Sequence, residues 1–165
     1  MNEIFPDQAR LAYLAGFFDG EGHVSLRRHS TKKRYKNGTV RVYDRVSLQV
    51  SASQNTREPL NLFQEEFGGS LTHVRAKRSY DAGLYNRWNW VVSTAAAVVA
   101  IKLMRPYLVV KASQADLALA FAETVSKSCG RHGHGPEMMA KRTEMAVKMK
   151  ELRADVRRQV DAYAQ

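Results

Sequence analysis

An apolar segment that runs straight into two carboxylates held among glycines constrains this chain more than any other feature. Residues 11–22 read Leu-Ala-Tyr-Leu-Ala-Gly-Phe-Phe-Asp-Gly-Glu-Gly. Ala12, Gly16 and Gly20 recur every fourth residue, so in a helix they lie on one face. Small residues at this spacing let two helix backbones approach closely, a rule best documented for membrane helices. We therefore expect a helix whose end delivers the two acids to a seam between two helices.

The overall charge indicates a nucleic-acid partner. The chain has 165 residues, a usual length for one domain with its own core, and we treat residues 1–165 as a single domain. Its net charge is +10 and its pI is about 9.9. Double-stranded DNA carries one negative charge per roughly 1.7 Å of helix axis, so it is the natural partner for such a chain. A solvated basic surface or a ribosome-associated protein is the alternative.

The sequence shows neither a secretory signal nor a membrane span. Cys129 is the only cysteine, which excludes an intrachain disulfide and is typical of a reducing compartment. The N-terminus lacks a basic region followed by an apolar stretch, and the longest apolar run, residues 95–101, is too short to cross a bilayer. We expect a soluble, intracellular protein, in a bacterial cytoplasm or an organelle matrix, with no membrane partner.

Helix-type and strand-type patterns alternate along the chain. Asp7 predicts an N-cap for the first helix, and Asn37-Gly38 is the strongest short signal for a hairpin turn. The predicted elements are helix 7–18, strands 23–34 and 39–53, helix 57–67, strands 70–78 and 85–92, and helices 93–104 and 113–126. The order α-β-β-α-β-β-α followed by further helices is typical of an α+β fold with a mixed sheet covered on one side by helices.

Beyond this core, the pattern predicts a connector and one long helix. The connector starts near Cys129, contains three glycines and ends at a proline that suits the first turn of a helix. We therefore divide the domain into a core at about 7–127 and a C-terminal helical extension at about 136–165. His132 and His134 join Cys129 in the connector, but three ligands without a fourth at a recognisable spacing favour a plain connector over a zinc site.

The strand after the hairpin turn alternates apolar and polar residues. Its even positions are apolar and are predicted to face the core, at Val40, Val42, Val46, Leu48 and Val50. Its odd positions are polar or basic, at Arg41, Arg45, Ser47, Gln49 and Ser51. A two-stranded ribbon with such a polar face fits the DNA major groove, where Arg and Lys read guanine and polar side chains read adenine.

The cationic and polar side chains of both predicted hairpins form the candidate DNA-binding surface. The candidates for base contacts are Arg27, Arg41, Arg45, Ser47, Gln49, Ser51, His73, Arg75, Lys77 and Arg87. The candidates for phosphate contacts near the turn are Lys32, Lys33 and Lys36, and Arg28 and Arg34 complete the basic cluster. Strand residues rise about 3.3 Å each, near the rise of a base pair, so roughly ten strand residues follow ten base pairs. At any single position a solvated surface charge is as good an explanation as a DNA contact. The prediction therefore rests on the clustering of these residues.

Residues 14–22, Leu-Ala-Gly-Phe-Phe-Asp-Gly-Glu-Gly, resemble the LAGLIDADG motif of homing endonucleases, with Glu21 as the second acid. A weaker resemblance extends through residues 53–56 and through residues 105–115. One copy of the motif in a chain of this length resembles the subfamily that acts as a homodimer. The resemblance implies an αββαββα core with a mixed, saddle-shaped sheet covered by helices on one face. The implied dimer interface consists of Ala12, Ala15, Gly16 and Asp19.

The same resemblance implies an activity. Homing endonucleases of this kind are intron-encoded enzymes that hydrolyse both strands of a long, near-palindromic DNA site and leave 3′ overhangs, without a small-molecule substrate. Mg²⁺ is the implied cofactor, Mn²⁺ is expected to substitute for it, and Ca²⁺ is expected to support binding without cleavage. The implied metal ligands are Glu21 and the carbonyl oxygen of Gly20, with Asp19 as the competing acid.

Two further residues match pocket positions of the family. Gln54 and Lys111 stand where a glutamine can order water and a lysine can stabilise charge on a phosphate. Two other functions are compatible with the same fold: an intron RNA-splicing maturase, and a DNA-binding regulator without catalysis. The joint presence of Gly20, Glu21, Gln54 and Lys111 favours the nuclease, because a protein that only binds has no need of all four.

Overall fold

The computed structural model describes residues 7–75, 87–125 and 135–163. In chain order the elements are α1 (Gln8–Glu21), β1 (Gly22–Arg34), β2 (Val40–Gln54), α2 (Glu58–Phe67), β3 (Ser70–Val74), β4 (Arg87–Ser93), α3 (Thr94–Met104), a 3-10 turn (Arg105–Tyr107), α4 (Ala112–Val125) and α5 (Pro136–Tyr163). The predicted α+β class and element order are confirmed. Among the described helices, none combines the length and the apolar character needed to cross a lipid bilayer.

The described strands form one sheet in the order β1-β2-β4-β3. Every neighbouring pair is antiparallel, so the prediction of a mixed sheet is wrong. The reason is that helix α2 carries the chain past the position beside β2 to the far edge of the sheet, where β3 begins. The chain then returns, and β4 fills the place between β2 and β3. Had β3 paired directly with β2, that pair would have been parallel.

Strand register divides the side chains between the two faces of the sheet. Val24 pairs with Val50, which also pairs with Val92 on β4. All three are buried in the hydrophobic core. The even positions of β1, β2 and β4 therefore form the helix-covered face. The odd positions of these strands, together with the even positions of β3, form the opposite face, which we call the polar face.

The β1–β2 hairpin extends beyond the body of the protein. Its predicted Asn37-Gly38 turn is confirmed, with a φ of 82° at Gly38 and a hydrogen bond of 3.1 Å from the Thr39 amide to Asn37 Oδ1. Val40 and Val42 occupy even positions but are 49% and 56% exposed. The prediction that they belong to the core is wrong, because this half of the ribbon projects past the described helices.

An aromatic cluster joins α2 to the sheet. Phe63 packs against Trp90 with ring centroids 4.9 Å apart, and both side chains are fully buried. The indole Nε1 of Trp90 donates a hydrogen bond of 2.8 Å to the carbonyl oxygen of Gly68. Gly68 ends α2 with a φ of 69°, a conformation that favours glycine. The bond therefore ties the centre of β4 to the end of α2.

A buried arginine holds helix α5 to helix α4. Arg142 is 2% exposed, and its Nε donates a hydrogen bond of 3.0 Å to Thr124 Oγ1. A second guanidinium nitrogen donates to the carbonyl oxygen of Thr124, in the last turn of α4, where a positive charge is favourable. Ala146 and Met149 of α5 join the same hydrophobic core as the sheet. The C-terminal helix is therefore packed on the core along its first half.

Truncating Trp90 should cost far more stability than truncating Trp88. Both residues occupy the helix-covered face of β4, but Trp90 is fully buried and Trp88 is partly exposed. We expect Trp90→Ala to lower the free energy of unfolding by about 3–5 kcal/mol, the usual cost of removing a buried aromatic side chain. Urea unfolding followed by circular dichroism, at one fixed protein concentration, measures the loss. Equal losses in Trp90→Ala and Trp88→Ala would contradict this description of the core.

Candidate functional site

Helix α1 brings the two acids to a junction with the sheet. The Asp7 carboxylate accepts a hydrogen bond of 3.0 Å from the Ala9 amide and caps the start of the helix, as predicted. The helix ends at Glu21, which is exposed, and β1 begins at once with Gly22. A Cβ added to Gly22 would lie 2.3 Å from Cδ2 of Phe18, so only glycine fits this position. The acid at the helix end is therefore joined to the sheet without an intervening loop.

Asp19 is bound within its own protomer. One carboxylate oxygen accepts hydrogen bonds from the amides of Val109 and Val110, at 2.7 and 3.1 Å, and the other accepts from the Lys111 amide at 2.9 Å. These amides directly precede α4, so the carboxylate caps the entry to that helix and places a negative charge at its N-terminus. The predicted place of Asp19 at a dimer interface stays a prediction, and the structure adds a role within the protomer, because three donors of the same chain engage its carboxylate.

Lys111 is the buried cation of the site. The residue is 8% exposed, and its Nζ donates a hydrogen bond to the backbone carbonyl oxygen of Asp19. Burial lowers the pKa of Lys111, while the charges of Asp19 and Glu21 act in the opposite direction. Because Lys111 Nζ contacts the carbonyl oxygen of Asp19, two residues before Glu21, its ammonium group lies at the same end of α1 as the Glu21 carboxylate. The structure brings these two predicted site residues together at the end of α1.

Gln54 lies at the same end of the sheet. It is the last residue of β2, two positions beyond Ala52, which pairs with Gly22. Its side-chain Oε1 accepts a hydrogen bond of 2.8 Å from the Asn55 amide. Gln54 therefore lies at the end of the sheet that adjoins Glu21. Its side-chain amide accepts a hydrogen bond from the backbone of the next residue and is not bonded to Glu21 or Lys111.

Gln114 adds an unsatisfied polar group next to Lys111. It lies three residues further along α4 and is 3% exposed. Among the described residues, its buried side-chain Oε1 finds no hydrogen-bond partner. A buried acceptor without a partner is costly, so such a group indicates a place where water or a ligand donates a hydrogen bond.

Glu21 and the carbonyl group of Gly20 are the candidates for holding a divalent cation. Both are hard oxygen donors of the type that Mg²⁺ and Ca²⁺ prefer. A Cβ added to Gly20 would meet nothing within 4 Å, so the backbone there is open to a ligand. Among the described residues, no three His, Cys, Asp or Glu side chains are grouped so that they could hold a metal ion. The described part of one protomer therefore offers two oxygen donors, and oxygens from elsewhere, such as water or phosphate, would complete the coordination of a cation. The connector with Cys129, His132 and His134 lies outside the described residues.

One face of α1 is left uncovered by the described part of the chain. Ala12, Gly16 and Gly20 are exposed on it, and the neighbouring Tyr13 is 51% exposed. Ala15, by contrast, is fully buried in the core of the protomer, so its predicted place in a dimer interface is wrong. Adjacent residues of a helix point about 100° apart, and Ala15 lies on the side that packs against the core.

The polar face of the sheet collects most of the predicted DNA-binding residues. By register this face carries Arg27, Lys33, Arg41, Arg45, Ser47, Gln49, Ser51 and Arg87. The charged members are exposed, and the two serines and the glutamine are half-buried. Arg27 stands opposite Ser47, and Lys33 stands opposite Arg41. The two strands therefore present one continuous ribbon of hydrogen-bond donors.

Three of the predicted cations lie on the other side of this ribbon. Arg28, Lys32 and Arg34 occupy even positions of β1, so strand alternation separates them from the polar face. Arg28 forms an ion pair of 3.0 Å with Asp44, and the Ser30 hydroxyl donates to the same carboxylate. The hydrogen bond from Ser30, followed by that from Arg28, lowers the pKa of Asp44. Arg28 is therefore held by a neighbouring acid, on the side away from the base-reading candidates.

His73 also lies on the helix-covered face, and its predicted place on the DNA-binding face is wrong. It pairs with Trp88, and the two rings stack with centroids 4.8 Å apart. The Arg57 guanidinium lies 4.9 Å from the same indole. The sequence signal for this orientation was Leu71, an apolar residue two positions earlier that packs against the core.

The remaining described candidates, Lys36 and Arg75, lie outside the strands. Lys36 is exposed in the hairpin turn, and Arg75 is exposed directly after β3. Lys77 lies outside the described residues.

At the tip of the hairpin, the hydroxyl groups of Tyr35 and Tyr43 share a hydrogen bond of 2.5 Å, an arrangement that the sequence pattern did not predict. This bond raises the pKa of Tyr35 and lowers that of Tyr43.

Comparison with known proteins gives one family match. A family model described as LAGLIDADG endonuclease matches residues 14–107, more than half of the chain. The matched region runs from the first turns of α1 to the 3-10 turn before the Asp19-bound amides. No curated protein sequence is significantly similar to this chain.

Solved structures share the fold over most of the chain. The homing endonuclease I-CvuI, in complex with its target and Ca²⁺, has a TM-score of 0.65 at 22% identity, over 88% of this chain and 82% of that one. The archaeal intron-encoded homing endonuclease I-Vdi141I, complexed with DNA, has a TM-score of 0.62 at 19% identity, over 87% and 84%. The group I intron-encoded I-CeuI, also complexed with DNA, has a TM-score of 0.51 at 18% identity, over 76% and 59%.

Removing the Asp19 carboxylate should destabilise the protomer. Asp19→Ala leaves three backbone N–H groups without their acceptor, and we expect the free energy of unfolding to fall by about 2 kcal/mol. Hydrogen exchange at the amides of residues 109–111 should accelerate in parallel. Asp116→Ala is the matched control, because Asp116 forms an exposed ion pair with Arg105 and such pairs contribute about 0–1 kcal/mol. An unchanged stability in Asp19→Ala would show that the carboxylate has no structural role within the protomer.

Proposed function

Because the chain belongs to the LAGLIDADG endonuclease family, we propose that it is a homodimeric, metal-dependent endonuclease that cuts both strands of a long, near-palindromic DNA site and leaves 3′ overhangs. One observation carries the proposal. An exposed carboxylate, Glu21, and the ammonium group of the buried residue Lys111 both lie at the end of α1, next to a sheet face lined with basic side chains.

The uncovered face of α1 supports the homodimer. Its small residues Ala12, Gly16 and Gly20 would let a second copy of the helix approach closely. Each protomer offers one Glu21 and one open carbonyl group, whereas a hard divalent cation takes about six oxygen ligands. Pairing two copies along α1 would double the donor set and place two carboxylates side by side, one for each DNA strand.

The chain's own residues divide the work at the scissile phosphate. Glu21 and the Gly20 carbonyl oxygen would hold a divalent cation, which when bound supplies Lewis-acid stabilisation of the phosphate and makes a water molecule more acidic. Lys111 would stabilise the negative charge that develops on the phosphate oxygens. Asp19 acts as a positioning residue, because it fixes both the backbone and the ammonium group of Lys111. Gln54 would order water at the same end of the sheet after rotating away from its own backbone.

The polar face is suited to reading a duplex. The major groove of B-DNA is about 12 Å wide and admits a two-stranded ribbon. The paired strands β1 and β2 extend over 13 and 15 residues, long enough to follow roughly ten base pairs from each protomer. I-CvuI and I-Vdi141I, which share this fold, were each observed with DNA bound.

The Glu21 carboxylate should be required for cleavage but not for binding. We expect Glu21→Gln to bind duplex DNA as the original chain does, while strand scission in Mg²⁺ falls by at least about 10³-fold, since an amide is a poor cation ligand. Sites recovered from a randomised duplex library supply the substrate, and a nicking gel in Mg²⁺ and in Ca²⁺ measures scission. Glu144→Gln, an exposed change on α5, is the control. Undiminished cutting by Glu21→Gln would reject the catalytic role of Glu21. If the original chain bound DNA without cutting it, the protein would instead be a non-catalytic DNA-binding regulator.

Filling the open position on α1 should separate the dimer without unfolding the protomer. A Cβ at Gly16 meets nothing within 4 Å in the protomer, so Gly16→Leu should leave the circular dichroism spectrum unchanged. Across a close helix seam the larger side chain would hold the backbones apart, and we expect sedimentation equilibrium to show a monomer with little cleavage activity. Ala140→Leu, an equivalent change at an exposed position of α5, is the control. A dimer that persists in Gly16→Leu would place the interface elsewhere.

A further inference from the structure

A basic cleft separates the edge strand β1 from the C-terminal helix α5. Its volume is about 550 Å³. The strand side is lined by His23, Ser25, Leu26, Arg27, Arg28 and His29, and the helix side by Thr143, Ala146, Val147, Lys150 and Arg153. The lining thus contains four Lys or Arg side chains and two His side chains, and its described members include no carboxylate. Such a concentration of positive charge is the electrostatic pattern of a phosphate-binding surface.

Two cations of α5, Lys150 and Arg153, line this cleft, whereas the acids Glu144, Glu151 and Asp155 of the same helix do not. Lys150 and Arg153 are three residues apart and therefore neighbours on one face of the helix. The acidic residues Glu144, Glu151 and Asp155 recur at a seven- and a four-residue spacing, so they share a different face. Arg28 on the opposite wall is partly neutralised by Asp44. The exposed side chains of Arg27 and Lys150 are therefore the cations on which a role in phosphate binding mainly depends.

The helix wall is held at a fixed distance from the strand. Arg142, Ala146 and Met149 of α5 are buried, which anchors this part of the helix to the core. A guanidinium nitrogen of Arg153 lies 2.7 Å from Nε2 of His23, at the start of β1. Lys150 is exposed on the rim between these anchors. Because the helix backbone is anchored on both sides of Lys150, binding a phosphate there requires ordering of the lysine side chain but not of the helix.

The cleft is continuous with the polar face of the sheet. Arg27 and His29 occupy odd positions of β1 and line both surfaces. When the β1–β2 ribbon enters a major groove, the phosphates that border the groove lie beyond the ribbon's edges. Because β1 is the edge strand of the sheet, one of those borders would lie over the cleft.

The geometry points to a role for this cleft as a binding site for the phosphodiester backbone of one strand of the DNA that lies on the polar face. The inference rests on the proposed function, since it takes that DNA as the occupant. Duplex RNA fits less well, because its A-form major groove is too narrow for the ribbon, so ribbon and cleft would not be filled together. Contacts to phosphate carry no sequence information, so the cleft contributes affinity and position rather than base specificity.

The salt dependence of binding tests this assignment. The probe is a fluorescent duplex of arbitrary sequence, about 30 base pairs long, in Ca²⁺ buffer, titrated with the full chain at several salt concentrations. The slope of log K against log salt is negative, and loss of one phosphate contact per protomer reduces its magnitude by about 0.9. We expect this change in Lys150→Gln, with affinity reduced roughly five- to tenfold at about 0.1 M salt. Val147→Glu, which places a carboxylate at an exposed position in the cleft, should weaken binding further.

Lys148→Gln is the matched control, because Lys148 is exposed on the same helix but does not line the cleft. Its slope should remain that of the original chain, although the change in net charge is identical. Equal slopes in Lys150→Gln and Lys148→Gln would overturn the inference while leaving cleavage, and hence the proposed function, intact. If Lys150→Gln lowered the affinity for duplex RNA but not for duplex DNA, the inference would also be overturned. Failure of the original chain to bind either duplex would overturn both proposals.

Discussion

The hydrogen bonds around Asp19 are the interaction on which the rest of the site depends. They join the end of α1 to the amides of Val109, Val110 and Lys111, about ninety residues later in the chain. Without them the entry to α4 would lose three hydrogen bonds at once, and the buried Lys111 would lose the backbone geometry that directs its ammonium group to the carbonyl oxygen of Asp19. Since α4 in turn holds α5 through Arg142 and Thr124, the same contact also fixes the position of the C-terminal helix.

The burial of Lys111 explains why Asp19, the first acid of the motif, has a structural role within the protomer. Removing an ammonium group from water is costly unless hydrogen bonds and opposite charges surround it. Asp19 supplies both, through its carbonyl oxygen and its carboxylate, while the side chain of Glu21 stays exposed. Two acids separated by one glycine therefore have different environments, although both carry a carboxylate.

Local patterns were sufficient to predict the elements of the fold but not their long-range partners. The α1 cap at Asp7, the Asn37-Gly38 turn and the alternation along β2 from Val46 onward are encoded within a few residues, and the structure confirms these predictions. The strand order and the antiparallel pairing depend on how α2 redirects the chain. No short stretch of sequence contains that information. The same limit explains Ala15, since a small residue suits both a core and a helix seam.

The roles predicted for the site residues stay predictions, but the structure shows where their side chains lie. Lys111 lies at the end of α1 that carries Glu21, because its Nζ donates to the carbonyl oxygen of Asp19. Composition alone grouped Arg28, Lys32 and Arg34 with Arg27, although strand alternation separates them. His73 was misplaced for the same reason, because the phase of β3 was read from its charges rather than from Leu71.

The far half of the β1–β2 hairpin has a consequence for how such a protein changes over generations. Its side chains are solvent-accessible on both sides, including Val40 and Val42, so they contribute little to the hydrophobic core. Replacing surface residues away from caps and buried contacts alters folding free energy by roughly half a kcal/mol or less. Substitutions can therefore accumulate in this segment while the acid-bearing helix and its supporting hydrogen bonds stay unaltered. The exposed half and the core-packed half of one strand pair are thus under different constraints, so the surface chemistry of the ribbon can change at little cost to the fold.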